Sequence, residues 1–293
     1  MKVQEASKMF SSNHLVRLAS GDFSFLYRIA NEYLMVEPST ISIVDVFEET
    51  YATLDKHYRY EYFYKNTIAN NRLLGRHSLR TAAMITEFRV GKNIADCVIF
   101  NGSSTCYEIK TEFDSLSRLD AQLESYLKLF DNTYVVSDSK FLSTLNAMIP
   151  KDVGIIELSK RGYLSTVREA NDLSHVPISV DLIMNSMRAV EYMALTDSIF
   201  GFIPDVGNIK IYSECRLLLE TVDPCKLREH FRIVMKRMRS NNEKVLTAFP
   251  RSLTNAGVSY KLPIKLQNQL INLFNNTSEG SSHVLSDFKR ETI

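Results

Sequence analysis

Apolar and polar positions along the chain are ordered enough to predict its elements one after another. Over residues 1–56 the spacing is helical. Asn13 to Ala19 and Asp22 to Leu34 carry apolar residues every three or four positions, with Ser20-Gly21 as a break between them. Pro38-Ser39-Thr40 reads as the cap of a third helix with Ile43, Phe47 and Tyr51 on one face. Tyr58 to Leu74 predicts a further helix through Tyr60, Phe63, Tyr64 and Ile68, stopped by Gly75. The pattern then becomes strand-like. Strands are expected over 84–90 and 94–100, joined at Gly91-Lys92-Asn93, and over 105–110 after Asn101-Gly102. Leu116, Leu119, Leu123, Leu127 and Phe130 return to helical spacing. A strand over 133–137 follows, parallel through its crossover, then a helix over 139–149 and a strand over 153–158. Asn171 to Pro177 is polar, the remainder reads as mostly helical, and Asn275 to Ile293 reads as a fraying polar tail.

Helix, three strands, helix and strand in that order imply an α/β fold: a mixed β-sheet core flanked by helices, with helical N-terminal and C-terminal extensions. The divisions expected are a helical segment over 1–56, a core over 57–170 and a mostly helical region over 171–293.

The chemistry concentrates between Ile94 and Tyr126. Asp96 interrupts an apolar strand, and Glu108 and Lys110 project from one face of the next, with Ile109 from the other. Gln122 and Tyr126 lie one helical turn apart and share a face. Two carboxylates brought together by adjacent strands suit Mg²⁺ or Mn²⁺, a hard ion that can also grip phosphate, while the lysine orients water or neutralises developing charge. The hairpin decides whether they meet. A two-residue Asn101-Gly102 turn would put Asp96 opposite Tyr107, on the wrong face. A three-residue loop, Phe100 to Gly102, would put it opposite Cys106 and diagonal to Glu108, roughly 7–8 Å away. Taken singly, an acid in an apolar run and an E-x-K on a strand are ordinary features. It is their order that points to a site.

These residues resemble the PD-(D/E)XK nuclease superfamily, with Asp96 as the first acid, Glu108-Ile109-Lys110 as the D/E-x-K element and Gln122-x-x-x-Tyr126 similar to the helix motif of RecB-like members. More closely, Asp114-Ser115-Leu116, Arg118-Leu119 and Gln122 after E-I-K resemble a bacterial family of small stand-alone proteins of that superfamily, over about residues 57–140. The superfamily's proline is replaced by Ala95. The resemblance implies a restriction-endonuclease-like fold and a metal-dependent nuclease acting on DNA, in phage defence or foreign-DNA processing. Asp96, Glu108 and the Ile109 backbone carbonyl would hold the metal, with Glu61 as a further acid, and Lys110, Gln122 and Tyr126 would complete the catalytic set. Without the resemblance, Glu61 is a surface partner for Lys65, and Glu87 one for Arg89, with a metal role as the other reading of Glu87.

Composition adds little to this. With 16 Phe and 14 Tyr in 293 residues a sizeable core is available, and a net charge of +1 decides nothing about nucleic acid. Four cysteines at 97, 106, 215 and 225 lack zinc spacing, and Cys97 and Cys106 read as reduced core residues. No secretory leader or membrane span is apparent, so a cytoplasmic location is expected. Lys226 to Arg251 holds eight Lys/Arg against two Glu, with Arg232, Lys236 and Arg239 on one helix face that could track DNA. For that helix a solvated basic face is the plainer alternative; Arg118, one turn before Gln122, could hold a phosphate, and Arg76 reads either as near a phosphate or as simply exposed. Two other functions stay open: a catalytically inactive nuclease-fold protein that binds DNA or RNA, and a partner or immunity subunit. A homodimer is compatible with each.

Overall fold

In the computed structural model, the described residues are 1–275 and 284–287. Most of the expected polar tail from Asn275 onward therefore lies outside them. The chain divides into two units, one of residues 71–240 and one that joins residues 1–70 to residues 241–293.

The first unit is built on a six-stranded sheet in sequential order: β1 (Ala83–Val90), β2 (Asn93–Phe100), β3 (Ser104–Lys110), β4 (Asn132–Ser137), β5 (Gly154–Leu158) and β6 (Leu164–Arg168). β1, β2 and β3 are antiparallel neighbours, β3–β4 and β4–β5 are parallel, and β5–β6 is antiparallel. Each parallel pair is linked by a helix, α1 (Leu119–Leu127) after β3 and α2 (Leu142–Met148) after β4, as parallel strands require. The architecture is thus mixed α/β. Five strands fall within a residue or two of their expected bounds. β6 was not legible because its side chains are mostly exposed and give no apolar rhythm.

Four more helices cover the sheet: α3 (Val180–Ser186), α4 (Ala189–Phe200), α5 (Asn208–Leu219) and α6 (Pro224–Met238). Ile183, Leu195, Cys215, Leu219 and Phe231 from these helices join Phe88, Val98, Phe100, Leu123 and Tyr126 in one core. α6 starts where Asp223 accepts from the Cys225 and Lys226 amides and Pro224 opens the first turn. Its Phe231 meets Phe100 edge-on at 5.8 Å.

This packing redraws the expected division at residue 170, since the helices over 180–238 complete the sheet's own core. The other unit has a separate core in which Phe10, Phe47, Phe63, Phe249, Leu270 and Phe274 pack together. There the early helix spans Ser12–Ala19. The segment from Ser24 runs α-helical to Arg28 and continues as a π-helix over Ile29–Leu34. The helix Ile43–His57 is capped by Ser42, whose side chain accepts from the Asp45 amide, rather than by Pro38 to Thr40. The helix Glu61–Ile68 is tied to the chain's distal part by Tyr62, which donates to the Ser252 carbonyl at 2.7 Å, and by Asn66, which donates to that of Arg251 at 2.9 Å. No helix among the described residues is long and apolar enough to cross a membrane.

Candidate metal centre

The β2–β3 loop decides how the acids meet. It has three residues, Asn101 to Ser103, with Gly102 at φ +98°, so Phe100 pairs with Ser104 and Val98 with Cys106. Carrying that register one step past Cys97–Tyr107 sets Asp96 directly opposite Glu108, and opposed residues of an antiparallel pair share a face. The loop is shifted by one residue from the expected Phe100 to Gly102, and the register sets the acids opposite each other rather than on a diagonal. Here the ladder opens. Asp96 Oδ2 accepts the Ile109 amide at 2.6 Å, a side chain standing in for a backbone acceptor.

The same level of the sheet carries a third acid. Thr86–Cys97 and Phe88–Ala95 pair on either side, so Glu87 falls opposite Asp96. Glu87 has φ +53°, a left-handed conformation that strains a non-glycine residue. One of its carboxylate oxygens lies within 4.8 Å of one of Asp96's. Glu87, Asp96 and Glu108 thus form a row across β1, β2 and β3. The register of two hairpins would have exposed this row in the sequence, whereas the spacing of Glu87 and Arg89 alone suggested a surface pair.

Glu108 is the innermost of the three, 1% exposed. Its Oε1 accepts from Lys110 Nζ at 2.6 Å, while its Oε2 is buried with no hydrogen-bond partner. A buried carboxylate oxygen left unmatched is costly. Burial pushes the Glu108 carboxyl above its usual range, with the Lys110 ammonium pulling the other way. Lys110 also donates to Gln122 Oε1 on α1 at 3.1 Å, so the strand lysine is held between a strand acid and a helix amide.

Tyr126 shares the Gln122 face but reaches neither the lysine nor solvent. Its buried hydroxyl, raised by burial and by Glu108's charge, donates to the Ile94 carbonyl at 2.7 Å. It fastens α1 to the start of β2 beside Asp96. Arg118 caps α1 and is exposed, making no side-chain hydrogen bond or ion pair among the described residues. Glu61 belongs to the other unit, where it opens the helix Glu61–Ile68 and pairs with Lys65. Cys97 and Cys106 are buried thiols outside any disulfide, as expected.

The expected basic face of α6 is largely turned inward. Arg232 donates to Asp131 Oδ2 at 2.9 Å, and Arg239 grips Glu191 through Nε and Nη2 at 2.7 and 2.8 Å while lying over the Phe88 ring. Asp131 is fully buried and also takes the Arg228 guanidinium at 3.0 Å and the Ser104 amide at 2.7 Å. Arg239 and the Arg188 amide hold Glu191 below the usual carboxylate range against the opposing effect of burial. Only Lys236, half-buried, is left of the three for an external anion. Helical spacing groups such residues but cannot say which side of the helix the sheet will cover.

A family model described as bacteriophage P4 protein cII matches residues 55–259, the whole of the sheet unit included. The chain belongs to this family. Protein cII of Enterobacteria phage P4 is 38% identical over 92 residues, which are 31% of this chain and 34% of that protein. The chain thus spans about a third of that relative's length. A solved structure of a protein of unknown function from Silicibacter pomeroyi is 17% identical, covering 41% of this chain and 79% of that one with a TM-score of 0.30, too low to bear on the fold.

Proposed function

We propose that this member of the cII family is a metal-dependent nuclease that hydrolyses phosphodiester bonds in DNA, on a fold of the restriction-endonuclease type. The observation that carries the reading is the unmatched, buried Oε2 of Glu108, on the face where Asp96 stands opposite and Lys110 is already positioned. The donors are all oxygens, which fits Mg²⁺ or Mn²⁺ and not a softer ion. Asp96, Glu108 and the Ile109 carbonyl would hold the ion, with Glu87 beside Asp96. When bound, it supplies Lewis-acid polarisation of a phosphoryl oxygen.

The remaining tasks fall to the chain. Lys110 is a three-donor cation whose position is fixed from two sides, by Glu108 and Gln122. It can orient an attacking water and offset negative charge that grows on the phosphoryl oxygens. Gln122 aims the lysine, and Tyr126 keeps α1 and β2 in register. The Asp96 bond to the Ile109 amide fixes one acid against the backbone of the strand that carries the other.

A purely nucleic-acid-binding role would lean on the basic face of α6, but Arg232 and Arg239 are engaged with buried acids. The setting that goes with this activity is phage defence or the processing of foreign DNA. Supercoiled circular DNA incubated with Mg²⁺ tests the reading. Nicking or linearisation by the wild type, absent with Lys110→Ala of intact fold, supports it. No cleavage by the wild type, or equal cleavage by the variant, overturns it.

A further inference from the structure

The sheet has a second polar site on its other face. Side chains alternate along a strand, so Thr105 and Tyr107 of β3 point away from Cys106, Glu108 and Lys110. They line a pocket of about 290 Å³ together with Tyr134 and Ile156, rimmed by Arg72, Arg76, His77, Asn101, Asn132 and Glu169.

Three features make this a built site. Arg72 is 8% exposed, yet its Nε has no hydrogen-bond partner and its Nη2 makes one long bond of 3.5 Å to Thr166 Oγ1. Arg76 is exposed and has no acidic partner among the described residues. Tyr107 and Tyr134 stack at 5.9 Å with an interplanar angle of 17°, and Tyr134's ring occupies space that only glycine at 154 leaves open, since a Cβ there would come within 2.4 Å of it.

The polar groups divide by charge. Burial pushes the Tyr107 hydroxyl up to about 12 and keeps it a neutral donor, although Arg72 and Arg76 stand close enough to draw its pKa down. At another part of the rim, Glu169 accepts the Tyr134 hydroxyl at 2.7 Å, and His77 and Asn101 are joined at 2.7 Å. Two guanidiniums and a phenol hydroxyl suit a dianionic oxyanion. A carboxylate in the same pocket would repel a bare anion but accepts hydrogen bonds from hydroxyl groups. The volume lies at the lower end for small-molecule sites.

We propose that this pocket binds a phosphate monoester of pentose size, a sugar phosphate or a nucleoside monophosphate, with Arg72 and Arg76 on the phosphate and Glu169 on a sugar hydroxyl. The site is independent of the metal centre, which occupies the opposite face of β3.

Calorimetric titration of the full chain with inorganic phosphate, ribose 5-phosphate, AMP and adenosine tests it. Ribose 5-phosphate should bind more tightly than inorganic phosphate, and adenosine should not bind. Arg76→Gln, at an exposed position, should weaken ribose 5-phosphate binding about tenfold or more, the loss of one charge-assisted contact, while Arg76→Lys should recover part of it. Glu108→Gln, at the other site, should leave it unchanged. AMP tighter than ribose 5-phosphate would identify a nucleotide site, and equal affinities a sugar-phosphate site. No binding of either ester at about 10 mM, far weaker than a specific site, would overturn the proposal. So would affinity unaltered by Arg76→Gln, or inorganic phosphate binding as tightly as the esters.

Discussion

At the scale of single residues, Glu108 carries the most consequence. To hold a cation it must be ionised, and burial raises its carboxyl above the ordinary 4.5. Proton and cation therefore compete at a pH higher than an exposed glutamate would show. Mn²⁺ affinity should fall about tenfold per pH unit once the pH drops below Glu108's raised value. Titration across the weakly acidic range checks this, and affinity that stays level down to the ordinary carboxylate range speaks against Glu108 as a ligand. In the ion-free protein the sign is opposite. A raised acid contributes stability that is complete below the unfolded value of 4.5 and is lost as pH rises through the folded one.

Glu87 gives a second residue-level test. Its left-handed backbone favours glycine, so Glu87→Gly should raise stability by about 1 kcal/mol while weakening Mn²⁺ binding. Denaturant unfolding and metal titration measure the two effects, and a destabilised variant with full metal affinity would mean the strain serves nothing at the site.

Among the elements, β2 and β3 show what could be read in advance. Asp96, Glu108, Lys110 and Gln122 were recognisable as residue types in a telling order, and the three strands were visible from their apolar runs. Their exact opposition was not, because Asn101-Gly102 is compatible with loops of two or three residues and one residue of slip changes the partner. Tyr126 was assigned to the site by its spacing. Its hydroxyl lies beside Glu108 and also fastens two elements through the Ile94 carbonyl, a second task that spacing alone does not reveal.

The helix α6 shows the reverse case. Arg232 and Arg239 looked like a surface for phosphate, whereas α6 lies on the sheet and feeds them to acids under it. Asp131 takes both Arg228 and Arg232, so Asp131→Asn leaves a buried guanidinium without its countercharge. The cost should be about 3–5 kcal/mol, far above that of neutralising a surface acid. Denaturant midpoints compare it with Asp120→Asn on the exposed side of α1, where the change should be within about 0.5 kcal/mol.

For the molecule as a whole, the chain's two units each have their own hydrophobic core, and the sheet unit is one continuous stretch, residues 71–240. The sequence suggested a boundary near residue 170, where composition turns polar, because a polar link between elements of one core looks like a link between domains. A fragment of residues 71–240 should therefore unfold in one cooperative transition, whereas one ending at 170 should not, having lost the helices that supply Ile183, Leu195, Leu219 and Phe231 to the core. Thermal melts of the two fragments decide this.

The family match covers all of that unit, so the candidate metal centre and the proposed pocket behind it both lie in the part shared with the cII family. What that part does rests on one experiment above the others: cleavage of linear, circular and single-stranded DNA with Mg²⁺, comparing the wild type with Glu108→Gln of equal fold. Cutting by the wild type should disappear when Mg²⁺ is chelated and fall by about a hundredfold or more in the variant, the scale of losing a charge-stabilising group at a reacting centre. Cutting that survives chelation, or that the variant performs as well as the wild type, would contradict the metal-dependent nuclease reading.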